Sequence, residues 1–366
     1  MINEHPILKR LADAMPRDIT LVDVGASGDP LSTWMALASR THYIGFEPDA
    51  RDIKISEDGP FKKTSFVPRA VAPFAEGGKE VPFYFTDNAH CSSLLEPDLE
   101  RLAPYPFVDY FGFSEVGSST AVSLAEGVQE TGEQRIDWLK LDVQGVDLDL
   151  YQSLPGNLRS SMLALDFEAG LIHAYKGEKL FSTGHPELME EGWWISRLHV
   201  CGDVRMARET LSKRNLHEPT VRKHTRISPG WVEARYLKSP EHVVSEDLPL
   251  LAVLAFVDAQ YGVTLDVLSS YDDLDPALED LRQFSEDVVS GKVSGQLGHE
   301  ERTRWQDLQC LTQDDVLRRF SVDELAGMIR PSEWVGSTLR RWGRRLCGGG
   351  KSSSLPGKEI KDKGGK

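Results

Sequence analysis

Leu21-Val-Asp-Val-Gly-Ala-Ser-Gly28 is followed, about twenty residues on, by Tyr43-Ile-Gly-Phe-Glu-Pro-Asp49, and this pair of segments constrains the fold more than anything else in the chain. Each is an apolar run closed by turn chemistry, the form of a buried strand whose C-terminal tip carries a ligand contact. Gly25 and Gly28 let the backbone turn sharply and leave room for a ligand against a helix N-terminus. Glu47, directly after the second run, sits where a carboxylate can accept hydrogen bonds from both hydroxyls of a ribose.

The rest of the first two-thirds keeps the same rhythm. A short helix over Pro6–Met15 precedes strands at Ile19–Val24, Tyr43–Glu47 and Phe66–Ala72, with a helix near Leu31–Ser39 between the first two. Val81–Thr86 reads as an added strand. After it comes a polar, proline-rich excursion from Asp87 to Gly117, long enough to be a lid or substrate loop. Regular structure resumes with a helix at Ser123–Thr131, a strand at Asp137–Asp142, a helix at Leu148–Ser153 and a strand at Met162–Glu168. A further helix ends at Leu188–Glu191, and Trp193–Leu198 with Val232–Leu237 reads as a closing antiparallel pair; the charged stretch Val204–His224 takes no assignment. Alternating buried strands and helical crossovers predict an α/β, doubly wound sheet, mostly parallel with a terminal antiparallel strand.

From about Asp247 the pattern turns helical, at Leu248–Tyr261, Asp275–Ser290, Gln313–Phe320 and Ser321–Ile329, the last with Ser321 and Glu324 at capping-box spacing. This predicts a catalytic domain over 1–245, a helical C-terminal region over 246–346 and a disordered Gly/Ser/Lys-rich tail over 347–366.

A net charge of −15 argues against a general nucleic-acid binder and favours small-molecule or glycan substrates. Cys91, Cys201, Cys310 and Cys347 lack metal-ribbon or disulfide spacing, which points to a reducing, cytoplasmic setting. No apolar stretch reaches the length of a membrane span. In residues 333–346, Trp334, Val335, Leu339, Trp342 and Leu346 fall on one helical arc, with Arg340, Arg341 and Arg344 opposite. That arc suits either a helix packed on the domain or peripheral contact with an anionic membrane.

The first loop reads Asp23-x-Gly25-x-x-Gly28, with an acid where a dinucleotide fingerprint begins with glycine. A carboxylate there repels a pyrophosphate and suits a ligand carrying a sulfonium and an ammonium group, such as S-adenosylmethionine. With Gly45-Phe-Glu-Pro-Asp49, Ser92-Ser-Leu94 and Ile136-Asp-Trp-Leu-Lys-Leu-Asp-Val-Gln-Gly145, this loop makes the chain similar, over roughly 19–240, to the FkbM family of class I S-adenosylmethionine-dependent methyltransferases. The resemblance implies a Rossmann-like methyltransferase fold and O-methylation of a sugar, glycan or secondary metabolite. One departure is Gln144, where the family commonly carries glutamate before the glycine.

On this reading Asp23, Gly25, Ala26, Gly28, Glu47, Pro48, Ala70, Val71 and Asp142 bind cofactor, with the resemblance placing Ala70 and Val71 at the adenine. Asp142, at the tip of the fourth strand, is the first candidate for the base that takes the acceptor's proton, and it reads also as a helix N-cap. His90, in the insertion, and Glu168, at the ligand end of the fifth strand, are the other candidate catalytic groups. Asp142, Asp166 and Glu168 together could hold Mg2+. His199 and Cys201 share a strand face, but two donors make no zinc site. The rival readings are a nucleotide-dependent or sugar-modifying Rossmann enzyme and a non-catalytic binding module of methyltransferase fold.

Overall fold

The computed structural model describes residues 6–293, save 50, 52, 53, 55, 57, 74–77, 114 and 115. Among the described residues, ten strands form two sheets: β1 (Ile19–Val24), β2 (Thr41–Phe46), β3 (Lys63–Val67), β4 (Ala70–Val71), β5 (Lys79–Phe83), β6 (Gly117–Val122), β7 (Trp138–Leu141), β8 (Ala164–Gly170), β9 (Trp193–Asp203) and β10 (Ser228–Lys238). The main sheet has seven strands in the order β3-β2-β1-β7-β8-β10-β9. Its pairs from β3 to β8 are parallel, and β10 runs antiparallel to both β8 and β9. The chain is thus α/β, with a mostly parallel sheet compatible with a Rossmann-like fold. The order reverses between β1 and β7, and their C-terminal ends open the crevice where such sheets take ligands.

Strand alternation sorts the side chains onto two unlike faces. On one, Val22, Val24, Ile44, Phe46, Leu139, Leu141, Leu165 and Phe167 form an uninterrupted apolar core with the helices Leu124–Glu130, Asp147–Ser153 and Phe181–Glu190. On the other, each strand starts apolar and turns ionic toward the crevice: Leu21 then Asp23 on β1, Trp138 then Lys140 on β7, Ala164 then Asp166 and Glu168 on β8. Cross-strand register aligns Asp23, Lys140, Asp166 and Arg235 in one row of alternating charge.

Most predicted elements stand, three differ, and one unassigned stretch gains structure. The Leu31–Ser39 crossover is not an α-helix but two 3-10 pieces, Ser32–Ala36 and Ala38–Arg40. A 3-10 turn rises about 2.0 Å per residue against about 1.5 Å, so the short connector spans more of the sheet. Phe66–Ala72 breaks at Pro68, which cannot donate to a ladder; β3 ends before it, and β4 joins β6 and β5 in the small sheet. The expected Leu248–Tyr261 helix divides into Leu248–Val257 and Tyr261–Leu268, with Ala259 at a left-handed φ of 57° between them. The unassigned charged stretch holds two short helices, Arg208–Lys213 and Glu218–His224.

The boundary expected at 245 is corrected. Leu250 to Val257 is buried in one apolar cluster with Leu21, Tyr43 and Trp138, so the composition shift marks the helical layer of the same body. A helix apolar on every side has to be buried, and at ten residues it is no membrane span. Contacts divide the chain at 298/299 instead. The helices expected at Gln313–Phe320 and Ser321–Ile329, the 333–346 arc and the 347–366 tail lie outside the described residues. Among the described residues, no helix is long and apolar enough to cross a membrane.

Arg235 fastens that helical layer to the sheet. Its guanidinium, 2% exposed, donates to Asp166 of β8 at 2.7 Å and to Asp258 at the end of Leu248–Val257 at 2.7 Å. It also lies over the Trp138 ring, 5.0 Å from the centroid. Arg235→Ala removes the shared cationic partner of the Asp166 and Asp258 carboxylates and is expected to cost about 3–5 kcal/mol in urea unfolding. Arg10→Ala, which removes exposed pairs with Asp13 and Asp280, should move the midpoint little.

Candidate active-site cleft

The tips of β1 and β7 meet backbone to backbone. Gly25 turns with φ of 85°, and a Cβ built there would lie 1.9 Å from the carbonyl oxygen of Asp142. Only glycine fits both the left-handed turn and that approach. The Gly25 and Ala26 amides each donate to the Phe46 carbonyl at 3.0 Å, tying the loop to β2 as well. Beneath this junction lies Lys140, whose ammonium reaches Asp23 at 2.9 Å, Asp142 at 3.3 Å and the Gly25 carbonyl at 3.4 Å. Burial alone would discharge this lysine, but the flanking Asp23 and Asp142 carboxylates hold its pKa above the usual range.

These junctions frame a cleft of about 560 Å³, large enough for a nucleoside and part of a second ligand. Gly25, Glu47, Pro48, Ala70, Val71, His90, Asp142 and Glu168, all expected at the site, line it. Three expected contacts do not. Asp23 points below the loop, where its carboxylate accepts from Lys140 and from the Tyr43 hydroxyl at 2.8 Å. It is a buried counter-ion that holds the loop rather than a wall of the cleft. Ala26 is buried beside it, and Gly28 serves the turn, with φ of 77°.

Glu47 takes the Asp49 amide at 2.7 Å and presents its carboxyl to the cleft. Burial pushes that carboxyl up to about 7. Glu168 stands well above the usual carboxylate range, from burial joined by the Asp142, Asp147 and Glu233 charges. Asp166 does not join it: Trp138 donates to one of its oxygens and Arg235 to the other, both at 2.7 Å. The Asp142/Asp166/Glu168 magnesium set is therefore not assembled, and Asp166 is absent from the cleft lining.

Gln144 links the acids instead. It sits at a left-handed φ of 58°, and its amide nitrogen donates to Asp142 at 2.9 Å and to Glu168 at 3.5 Å. Its amide oxygen accepts from the Tyr175 hydroxyl at 3.1 Å, and its carbonyl accepts from Ser93 at 2.7 Å. A glutamate here would add a fourth carboxyl group beside Asp142, Asp147 and Glu168. A neutral amide instead bridges two of them. Asp147 accepts from the Val143 and Gly145 amides at 3.2 and 3.0 Å, and this fully buried carboxyl is raised to about 7 by desolvation.

The Asp87–Gly117 insertion supplies a wall of the cleft through His90, Leu94, Phe107 and Phe111. Ser92 and Ser93 fasten it: Ser92 lies 3.4 Å from Asp49 at the β2 tip, and Ser93 reaches Gln144 at the β7 tip. His90 shares a 3.2 Å hydrogen bond with Ser27 of the glycine loop, across the cleft from the acids. Tyr175, Trp231 and Glu233 also line the cleft and were not singled out by sequence. Tyr175 comes from a loop, and the other two from a strand more than sixty residues beyond Glu168, so no local pattern marks them.

No family model, curated protein or solved structure matches this chain.

Gly25→Ala is expected to cost about 3 kcal/mol in chemical denaturation, from left-handed strain plus displacement of the β7 tip. Gly132→Ala, at φ of 91° with nothing near its Cβ, should cost about 1 kcal/mol.

Proposed function

We propose that this chain is an S-adenosylmethionine-dependent O-methyltransferase of FkbM type, acting on a hydroxyl of a sugar or glycan. The observation that carries the reading is the gathering of carboxyl groups on the cleft at the strand-order reversal, while the arginines that line it, Arg69 and Arg222, are paired with Glu130 and with Asp203 and Glu218. Glu47, Asp142 and Glu168 converge on it, and the Gly25 and Ala26 amides that could cradle a phosphate are spent on Phe46. The first crossover is 3-10 helix, so the described residues offer no α-helix N-terminus to a pyrophosphate there. A cationic nucleoside fits these donors and acceptors, and a dinucleotide does not. The mostly parallel sheet with its last strand antiparallel is also what the class I methyltransferase resemblance implies.

S-adenosylmethionine, when bound, supplies a methyl carbon already activated by positive sulfur, so the protein's task is alignment, water exclusion and acceptance of one proton. Glu47 would accept from the two ribose hydroxyls, while Pro48, Ala70 and Val71 would flank the base. Asp142, oriented by the Gln144 amide and Lys140, would take the proton that the acceptor oxygen loses as its bond to the methyl carbon forms and the carbon–sulfur bond breaks, leaving S-adenosylhomocysteine. The raised pKa of Glu168 makes it a proton holder beside Asp142, while the wall formed by the insertion covers the reacting groups.

S-adenosylhomocysteine is expected to raise the melting temperature of the full chain while NAD and NADP leave it unchanged, and labelled methyl should pass to an extracted glycan pool. Stabilisation by NAD alone would overturn the assignment, and binding without transfer to any pool would favour the non-catalytic module. Glu47→Ala should weaken S-adenosylhomocysteine binding without lowering stability.

The affinity should also depend on pH. Only the ionised Glu47 accepts both hydroxyl hydrogens, so with a carboxyl at about 7 affinity rises with pH. Calorimetry should record about tenfold tighter binding at pH ~8 than at pH ~6. In Glu47→Gln the slope should flatten.

A further inference from the structure

We propose that His199, Cys201 and Glu233 form a binding site for a zinc-class divalent cation, on the β9/β10 ladder at the end of the acidic row that lines the cleft. His199 and Cys201 are two residues apart on β9 and therefore share a face. Glu233 of β10 is paired directly with His199, and Cys201 with Trp231. Neither strand alone holds these three donors; the antiparallel register brings them together. Among the described residues it is the one grouping of three ligating side chains found, with every donor atom within 4.8 Å of the others.

The separations are close to those of donors around a shared ion, with Glu233 meeting His199 and Cys201 through different carboxylate oxygens. His199 Nδ1 lies 3.1 Å from Glu233 Oε2 and 3.3 Å from Cys201 Sγ, and Cys201 Sγ lies 3.4 Å from Glu233 Oε1. Bonds of about 2.3 Å to sulfur and about 2.0–2.1 Å to nitrogen and oxygen place tetrahedral donors roughly 3.3–3.6 Å apart. A contraction of a few tenths of an ångström is what hydrogen bonding among the same three groups produces without the ion. The backbone already holds the donors in place, so binding needs only small side-chain rotations.

The donor set selects the metal. Sulfur and imidazole suit zinc and its neighbours and disfavour magnesium and calcium, which take oxygen shells. Cys201 is in no disulfide, and a thiol proton present there leaves to solvent as the sulfur–metal bond forms. Three protein ligands leave one tetrahedral position for water or a hydroxyl, as in open rather than closed zinc sites. Cross-strand pairing sets His199 beside Glu233 and Glu233 beside Glu168, and the last two line the cleft, so the site adjoins the cleft. The site requires no methyl donor and stands whether or not the methyltransferase reading holds.

The test uses the full chain, stripped of metal with chelator and titrated with Zn2+ against a chromophoric competitor, and in parallel with Co2+. One equivalent of zinc and a near-ultraviolet thiolate-to-cobalt charge-transfer band are expected. Cys201→Ser should abolish the band, Cys91→Ser should leave it, and His199→Gln and Glu233→Gln should each weaken zinc binding at least about tenfold. Glu233 is half-exposed, so its variant keeps the test readable should Cys201→Ser fold poorly. Absence of the band, or a band and zinc affinity untouched by these three substitutions, would overturn the site and assign any metal to residues elsewhere.

Discussion

The buried Lys140 ammonium is the contact on which the cleft depends. One cation neutralises Asp23 and Asp142 and reaches the Gly25 carbonyl, so the loop after β1 and the tip of β7 are held at backbone contact. Without it, two carboxylates would face each other in a low-dielectric interior, where their repulsion is poorly screened. The closeness that excludes any residue but glycine at position 25 is thus an electrostatic arrangement as well as a steric one.

The same logic extends across the sheet. Asp23, Lys140, Asp166 and Arg235 alternate in sign along one cross-strand row, and Asp258 brings the Leu248–Val257 helix into that row. Two residues further toward the C-terminal edge of the parallel strands, the compensation stops. Asp142, Glu168 and Glu233 have fewer cationic partners and open onto the cleft. Burying carboxylates without full compensation raises their proton affinity, as at Glu168 and Glu47, and leaves a site that a cation would relieve. The methyl donor and the divalent ion proposed above answer to this one imbalance at two ends of the same edge.

Gln144 shows how a single side chain is tuned to that imbalance. It stands in a left-handed backbone conformation that non-glycine residues seldom adopt, held by Ser93, Tyr175, Asp142 and Glu168. Through Ser93 it also anchors the Asp87–Gly117 insertion, so the segment that walls the cleft and the amide that bridges its acids are positioned together.

Much of this architecture was legible in the sequence because it rests on local chemistry. Apolar runs at Ile19–Val24 and Trp138–Leu141, the glycine at 25 and the acid after β2 carry their meaning within a few residues, and the strands and the cleft-lining Glu47, Asp142 and Glu168 follow. Tertiary structure alone decided which way each acid points. Asp23 and Asp142 look alike in sequence, yet strand pairing gives Lys140 to both and the cleft only to Asp142. It also decided that residues after 245 complete the same core, since an all-apolar helix does not say what it is buried against. The gathering of His199, Cys201 and Glu233 has the same origin: two strands separated by a charged excursion meet in one register, and register is a property of the pairing rather than of either strand.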